Sequence, residues 1–179
     1  MYRRMWVLIE GGKDSRFVRG VLRPILQRAY DFVETWEYAE RPPEKVVDFL
    51  KSMSAMKADY LFLGDFDTSP CVTERKEHLL RSYKPMLDAG RIIVVRAEIE
   101  SWYLAGVDDK NCQGFGIPVI PHTDGVTKEQ FEKLMPTKFK SVVDFMDEIV
   151  NRFCIDAAIR KNRSFGYLMD LLEARSKEA

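Results

Sequence analysis

The stretch DYLFLGDFDTSPC, residues 59–71, places a continuous apolar run directly before two aspartates, Asp65 and Asp67. Continuous rather than alternating apolarity is typical of a strand buried on both faces, as in a parallel sheet. Carboxylates this close together repel each other unless water screens them or a positive group lies between them. The stretch therefore predicts a buried strand that ends in either a solvated acidic turn or a cation site.

The same pattern of an apolar strand followed by a helix recurs on both sides of this stretch. Strands are predicted at 5–10, 31–38, 59–67 and 90–100. Helices are predicted from a cap at Asp14 or Ser15 to Leu26, at 41–56 and at 73–87. Regular alternation of buried strands and amphipathic helices indicates an α/β protein. We therefore expect a three-layer, doubly wound, mostly parallel sheet of about four strands, similar to a Rossmann fold.

The second half of the sequence is predicted to be helical, with one long irregular segment. A short helix is expected at 99–106, a turn-rich loop or lid at 108–125, and a helix that starts with a capping box formed by Thr127 and Gln130. Two further helices follow. We expect residues 1–107 to form the α/β core and residues 108–179 to form a loop and C-terminal helices that pack on it, as one domain overall.

Composition limits the classes of function. Lys plus Arg and Asp plus Glu number 28 each, so the formal net charge is zero, which argues against a polybasic, non-specific nucleic-acid binder but leaves a local basic patch open. The three cysteines form no CxxC pair, which indicates a reducing compartment and no zinc motif. No apolar run approaches the length of a membrane span, so we expect a cytoplasmic protein without a membrane partner.

Acidic residues follow three of the four predicted strands: Glu10, Asp65, Asp67, Glu98 and Glu100. Because the carboxyl ends of parallel strands share one edge and neighbouring strands lie about 5 Å apart, these acids are expected to converge. Oxygen ligands without His or Cys favour Mg²⁺ or Mn²⁺. The alternatives are that Asp67 caps a helix or stabilises a turn and that Glu98 is a surface residue.

The acidic segments VLIEGGKD (7–14) and LFLGDFDT (61–68) resemble the Toprim domain, the metal-binding module of topoisomerases, primases and OLD-family nucleases. IESWYLAG (99–106) and KNRSFGYLMDLL (161–172) resemble segments of small Toprim-like proteins of bacteria and archaea, some of them associated with phage defence. The resemblance spans most of the chain.

The resemblance implies a role for each matching acid. Glu10 would be a metal ligand or general acid/base, Asp65 and Asp67 would hold the metal, and Glu100 would be the fourth carboxylate. The chain departs from its relatives at Gly106, where they often have Asp. Asp108 or Asp109 is a candidate replacement, or that role is absent.

The implied chemistry is metal-assisted hydrolysis of phosphodiesters in DNA or RNA. Lys13 is then placed with the catalytic residues, and Arg16 with the groups that contact a phosphate beside the helix N-terminus. The basic cluster Arg160, Lys161 and Arg163 is a candidate contact for a nucleic-acid backbone, with an ordinary solvated face as the alternative.

Two other functions remain open from the sequence. LFLGDFDTS also resembles the Asp-x-Asp-x-Thr signature of HAD-type phosphatases, in which Asp65 would be the nucleophile and Asp67 the general acid. Ser69 stands where that signature has Thr, and Glu10 would have no role. The other alternative is a non-catalytic Toprim fold that regulates or binds nucleotides together with a separately encoded protein. The sequence is also compatible with a homo-oligomer.

Overall fold

The computed structural model describes residues 2–177, with side chains up to residue 175. This part of the chain forms two compact units, which divide between Val94 and Val95. The predicted division after residue 107 stays a prediction.

The first unit is built on a four-stranded parallel sheet, which confirms the predicted fold class. The strand order is β2-β1-β3-β4. The central strand β1 pairs in parallel with β2, from Arg4↔Phe32 to Ile9↔Glu37, and with β3, from Met5↔Asp59 to Leu8↔Phe62. The strands are β1 Arg4–Ile9, β2 Phe32–Glu37, β3 Asp59–Asp65 and β4 Ile92–Val95.

Helices connect these strands at the places that the apolar periodicity predicted. They are α1 Gly12–Phe17, a π-helical turn Val18–Leu22, α2 Arg23–Leu26, α3 Pro43–Ala55, α4 Val72–Ser82 and a 3-10 turn Ala89–Arg91. The helix α3 opens with Pro42 and Pro43, as expected. The helix α4 ends at Ser82, short of the predicted residue 87, because proline at 85 and the residue before it are disfavoured in a helix interior.

The core confirms that β1 is buried on both faces, since Met5, Val7, Leu8 and Ile9 are all fully buried. One continuous cluster joins apolar side chains of β1, β3 and β4 to α3 and α4: Leu8, Val46, Leu50, Phe62, Leu79, Ile92 and Val94. The strand ends are therefore held by packing, which fixes the groups that follow them.

The second unit is helical in its described residues: α5 Glu100–Ala105, α6 Asp109–Phe115, α7 Lys128–Leu134, α8 Val142–Asn151, α9 Ile155–Lys161 and α10 Arg163–Lys177. The prediction that 108–125 is a loop is wrong at its start, where α6 forms. Asp108 caps this helix by accepting a hydrogen bond from the Asn111 N–H, and Gly116 ends it with φ 81° in the left-handed region.

The other helix starts follow the expected capping chemistry. The capping box of Thr127 and Gln130 opens α7, and Ser141 caps α8 by accepting from the Asp144 N–H. Across residues 2–177, every helix is too short or too polar to traverse a lipid bilayer.

Candidate functional site

Three neighbouring strands carry polar side chains at the same edge of the sheet. Tyr38 follows β2, Glu10 follows β1, and Asp65 is the last residue of β3. The strands β2 and β3 lie on opposite sides of β1, so the connections of the chain switch sides between β1 and β3. Ligands of open parallel sheets bind at such a switch point, outside the carboxyl ends of the strands. Glu10 and Asp65 lie on its two sides, so the sheet itself brings these predicted site residues together.

The Glu10 carboxylate is held in one orientation by two donors. Its Oε1 accepts from the Tyr38 hydroxyl at 3.0 Å and from the Asp65 backbone N–H at 3.0 Å. Within residues 2–177, all contacts of this carboxylate are made by Oε1, and the side chain keeps 28% of its surface exposed. The Oε2 atom therefore has no hydrogen-bond or ion-pair partner in this part of the chain.

Tyr38 ties the three strand ends to one another. Its hydroxyl lies 2.9 Å from the Leu63 carbonyl as well as 3.0 Å from Glu10, and its ring is buried. Burial and, after it, the charge of Glu10 raise the pKa of the phenol above its usual value. Burial and the same charge also raise the pKa of Tyr83. Tyr38 thus stays a hydrogen-bond donor throughout the neutral range.

An arginine that the sequence reasoning missed lies among the acids. Arg75, on α4, donates from Nε to the Asp65 carbonyl at 2.8 Å, and its Nη2 lies 2.6 Å from Asp67 Oδ2 and 3.5 Å from Glu10 Oε1. Its side chain is only 11% exposed. The signal was the spacing of Arg75 and Leu79, one turn apart on the buried face of the helix.

The two aspartates of the motif differ in their surroundings. Asp65 is half-buried at the strand end, whereas the Asp67 side chain is 52% exposed and its backbone has φ 48° in the left-handed region. A Cβ at Gly64 would lie 3.1 Å from Leu79 Cδ1 and 3.4 Å from the Tyr38 hydroxyl, so glycine lets these two side chains pack close to the end of β3. Across the described residues, no three acidic, His or Cys side chains converge as a metal-binding set.

The predicted fourth carboxylate, Glu100, lies in the second unit and is buried at the start of α5. The residues near Glu100 in sequence connect the ESW segment to the NRSF segment. Trp102 Nε1 donates to Ser164 Oγ at 2.8 Å, and Asn162 Nδ2 donates to Ser101 Oγ at 3.3 Å. The segments around ESW and NRSF therefore stabilise each other, and a site shared by Glu100 and Glu10 stays a prediction.

The start of α1 carries the two predicted phosphate-contacting residues, Lys13 and Arg16, which are half-buried. Asp14 Oδ2 accepts a hydrogen bond from the Gly11 N–H at 2.9 Å, so its side chain stabilises the turn that follows β1. This is a capping contact.

The residues of the C-terminal basic cluster, Arg160, Lys161 and Arg163, differ in their contacts. Lys161 donates from Nζ to the Val107 carbonyl at 2.7 Å and is nearly buried. Arg163 lies beside Asp124, which accepts from the Arg163 N–H at 2.8 Å and so caps α10. Arg160 is exposed. Two of the three residues thus have structural contacts, and nucleic-acid binding by the cluster stays a prediction.

Gly106 stands where the Toprim-like proteins that the sequence resembles often have Asp, and the structure gives a steric reason for glycine. A Cβ at Gly106 would lie 2.1 Å from the Phe153 ring, so the backbone leaves no space for Asp there. The candidate replacements have other contacts, since Asp108 caps α6 and Asp109 lies 3.7 Å from the Lys161 ammonium.

Comparisons with known proteins identify no family. No family model and no curated protein matches this sequence. Among solved structures, the chain is similar to the C-terminal region of the OLD protein of Xanthomonas campestris pv. campestris, with 16% identity, a TM-score of 0.49, and coverage of 99% of this chain and 98% of that chain.

The strand order and the carboxylate–arginine cluster define the class: an α/β protein with an acidic site at the switch point of a parallel sheet.

Tyr38→Phe tests whether the Tyr38 hydroxyl stabilises the Glu10 carboxylate and the strand ends. We expect the free energy of unfolding to fall by about 1–2 kcal/mol, because the Leu63 carbonyl and Glu10 Oε1 lose a buried donor while the ring stays in place. Urea denaturation measures this. Tyr83→Phe is the matched control, since the Tyr83 hydroxyl makes no hydrogen bond within residues 2–177, and equal losses in both variants would contradict the assignment.

Proposed function

We propose that the protein is a metal-dependent phosphoryl-transfer protein, and specifically a Toprim-type nuclease that hydrolyses phosphodiesters of DNA or RNA, with a role in phage defence. The observation that carries the proposal is the position of Glu10 and Asp65 on the two sides of the sheet's switch point, with Asp67 beside them. The strand alternation and the ordered acidic motifs support it from the sequence.

The donor chemistry fits a hard divalent cation, Mg²⁺ or Mn²⁺. Glu10 Oε2 and Asp67 Oδ1 have no partner within the described residues, and carboxylate oxygens are the ligands that these ions prefer. In the proposal Glu10, Asp65 and Asp67 hold the ion. A bound cation would supply an activated water and stabilise the charge that develops on the phosphate.

The chain's own groups have separate roles in this chemistry. Tyr38 and the Asp65 N–H orient Glu10 through Oε1, which leaves Oε2 to take up or give a proton. Lys13 and Arg16 are assigned to the phosphate, and the exposed Arg160 is assigned to the nucleic-acid backbone.

A non-catalytic role is the second candidate, and Arg75 is the observation that favours it. Its guanidinium pairs with both Glu10 and Asp67 and so reduces the repulsion between these acids without a metal ion. In that case the protein would bind a nucleotide or act with a separately encoded partner. The absence of any heat of Mn²⁺ binding at millimolar concentration would favour this candidate over the nuclease.

Nicking of supercoiled plasmid, with a matched assay on single-stranded RNA, tests the proposed activity. We expect cleavage in the presence of Mn²⁺, none in excess EDTA, and a loss of about 100-fold or more in Asp65→Ala, because the variant removes a ligand of the ion. Asp48→Ala is the control, since Asp48 is an exposed residue of α3 whose one ion-pair partner within the described residues is Lys51.

Cleavage that is equal in wild type and Asp65→Ala would contradict the nuclease proposal. A borohydride-trappable phosphoryl group on Asp65 would instead support the phosphatase, in which this carboxylate is the nucleophile. The two outcomes are distinguishable because a metal ligand forms no covalent phosphoenzyme.

A further inference from the structure

The buried guanidinium of Arg75 lies between two acids of the proposed site, Glu10 and Asp67. One nitrogen, Nη2, lies 2.6 Å from Asp67 Oδ2 and 3.5 Å from Glu10 Oε1. Each carboxylate therefore has the same positive neighbour. Because α4 belongs to the same packed core as β3, the charge of Arg75 is part of the site in the folded chain.

We infer that Arg75 is a built-in counter-ion that competes with a divalent cation for Glu10 and Asp67. This inference rests on the proposed metal-dependent function and adds a residue that sets the metal affinity. A positive charge within hydrogen-bond distance of the ligands opposes the entry of a second cation and satisfies the acids in its absence. The wild-type site is thus stable without metal and binds the ion less tightly than the acids alone would.

The contacts identify which acid changes partner. Glu10 has two donors besides Arg75, the Tyr38 hydroxyl and the Asp65 N–H, so its position does not depend on the guanidinium. Asp67 has Arg75 as its one partner within residues 2–177 and is half-exposed. Arg75 is fixed to β3 by its Nε bond to the Asp65 carbonyl at 2.8 Å. Competition between Arg75 and a metal ion therefore falls mainly on Asp67, while Glu10 keeps its two other donors.

Calorimetric titration with Mn²⁺ measures the competition directly. Arg75→Gln keeps a donor on the side chain but removes the positive charge, and we expect it to bind Mn²⁺ at least about tenfold more tightly than wild type. Arg81→Gln is the matched control on the same helix, because Arg81 is 61% exposed and its partner is Glu77 rather than a site acid. Its affinity is expected to stay within about twofold of wild type.

The outcomes separate this inference from the proposed function. If wild type binds Mn²⁺ and Arg75→Gln binds it with equal or lower affinity, the inference is overturned and the proposed metal site stands. If no variant binds Mn²⁺ at millimolar concentration, the proposed metal-dependent function fails, and the competition fails with it.

A metal-rescue measurement covers the case in which Arg75→Gln does not fold by itself. Removing a buried positive charge leaves Glu10 and Asp67 uncompensated, so the variant is expected to have a lower melting temperature than wild type. Millimolar Mn²⁺ is expected to restore the folded state, with KCl at equal ionic strength as the control. A variant that stays unfolded in Mn²⁺, or refolds equally in KCl, would overturn the inference.

Discussion

Glu10→Gln is expected to lower the rate of phosphodiester cleavage by about 10²–10⁴-fold while the fold is retained. The glutamine carbonyl oxygen has the same position as Oε1 and still accepts from the Tyr38 hydroxyl and the Asp65 N–H. The variant loses the negative charge and the proton-accepting Oε2. Single-turnover cleavage at saturating Mn²⁺ measures the effect on chemistry apart from product release.

A neighbouring glutamate provides the control for this variant. Glu37 is exposed, ends β2 at the same edge of the sheet and directly precedes Tyr38, so Glu37→Gln changes the net charge equally without touching the proposed site. Cleavage by Glu10→Gln within about twofold of wild type would remove Glu10 from the chemistry, because acid/base residues contribute far more than that.

Asn162→Ala is expected to reduce the free energy of unfolding by about 3 kcal/mol, since it removes a helix cap and leaves several buried polar groups unpaired. Asn162 is fully buried, and its Oδ1 accepts from the backbone N–H groups of Ser164 and Phe165 at the start of α10. Its Nδ2 donates to Ser101 Oγ and Thr123 Oγ1. One side chain thus joins three segments of the second unit.

Urea denaturation with an unchanged m-value measures this loss, and Asn151→Ala is its control. Asn151 is exposed at the end of α8, where alanine is expected to change stability by less than about 0.5 kcal/mol. If Asn162→Ala costs less than about 1 kcal/mol, the network does not hold the ESW and NRSF segments together.

The sheet was predictable because its signals are local. Continuous apolar runs mark strands buried on both faces, and the acid that follows each run marks the edge at which ligands bind. This reasoning placed Glu10 and Asp65 together without knowledge of the strand order. The order β2-β1-β3-β4 strengthens it, because it puts the switch point between the two strands that carry them.

Arg75 could not be found by the same reasoning. The positive group beside the aspartates is a side chain of the next helix, and only the folded chain brings it next to Glu10. An arginine on an amphipathic helix is normally read as a surface residue. Only its one-turn spacing from Leu79 indicates that it lies on the buried face.

The second unit was harder to predict because its helices are short and its polar residues are buried. The helix α6 lies in a segment rich in turn-forming residues, which favours a loop in a prediction from sequence. The cap at Asp108, which favours a helix, is a weaker signal. Lys161 belongs to a run of basic residues that resembles a nucleic-acid contact, yet its ammonium donates to the Val107 carbonyl. The sequence alone does not show whether a lysine is solvated or donates a hydrogen bond to a backbone carbonyl.

A crystal structure of the protein soaked in Mn²⁺ tests the central claim most directly. We predict an anomalous-scattering peak about 2.0–2.3 Å from carboxylate oxygens of Glu10 and of the Asp65–Asp67 pair. Asp67 is then expected to have turned away from Arg75. A map without such a peak, in which Asp67 still pairs with Arg75 at saturating Mn²⁺, would contradict the account.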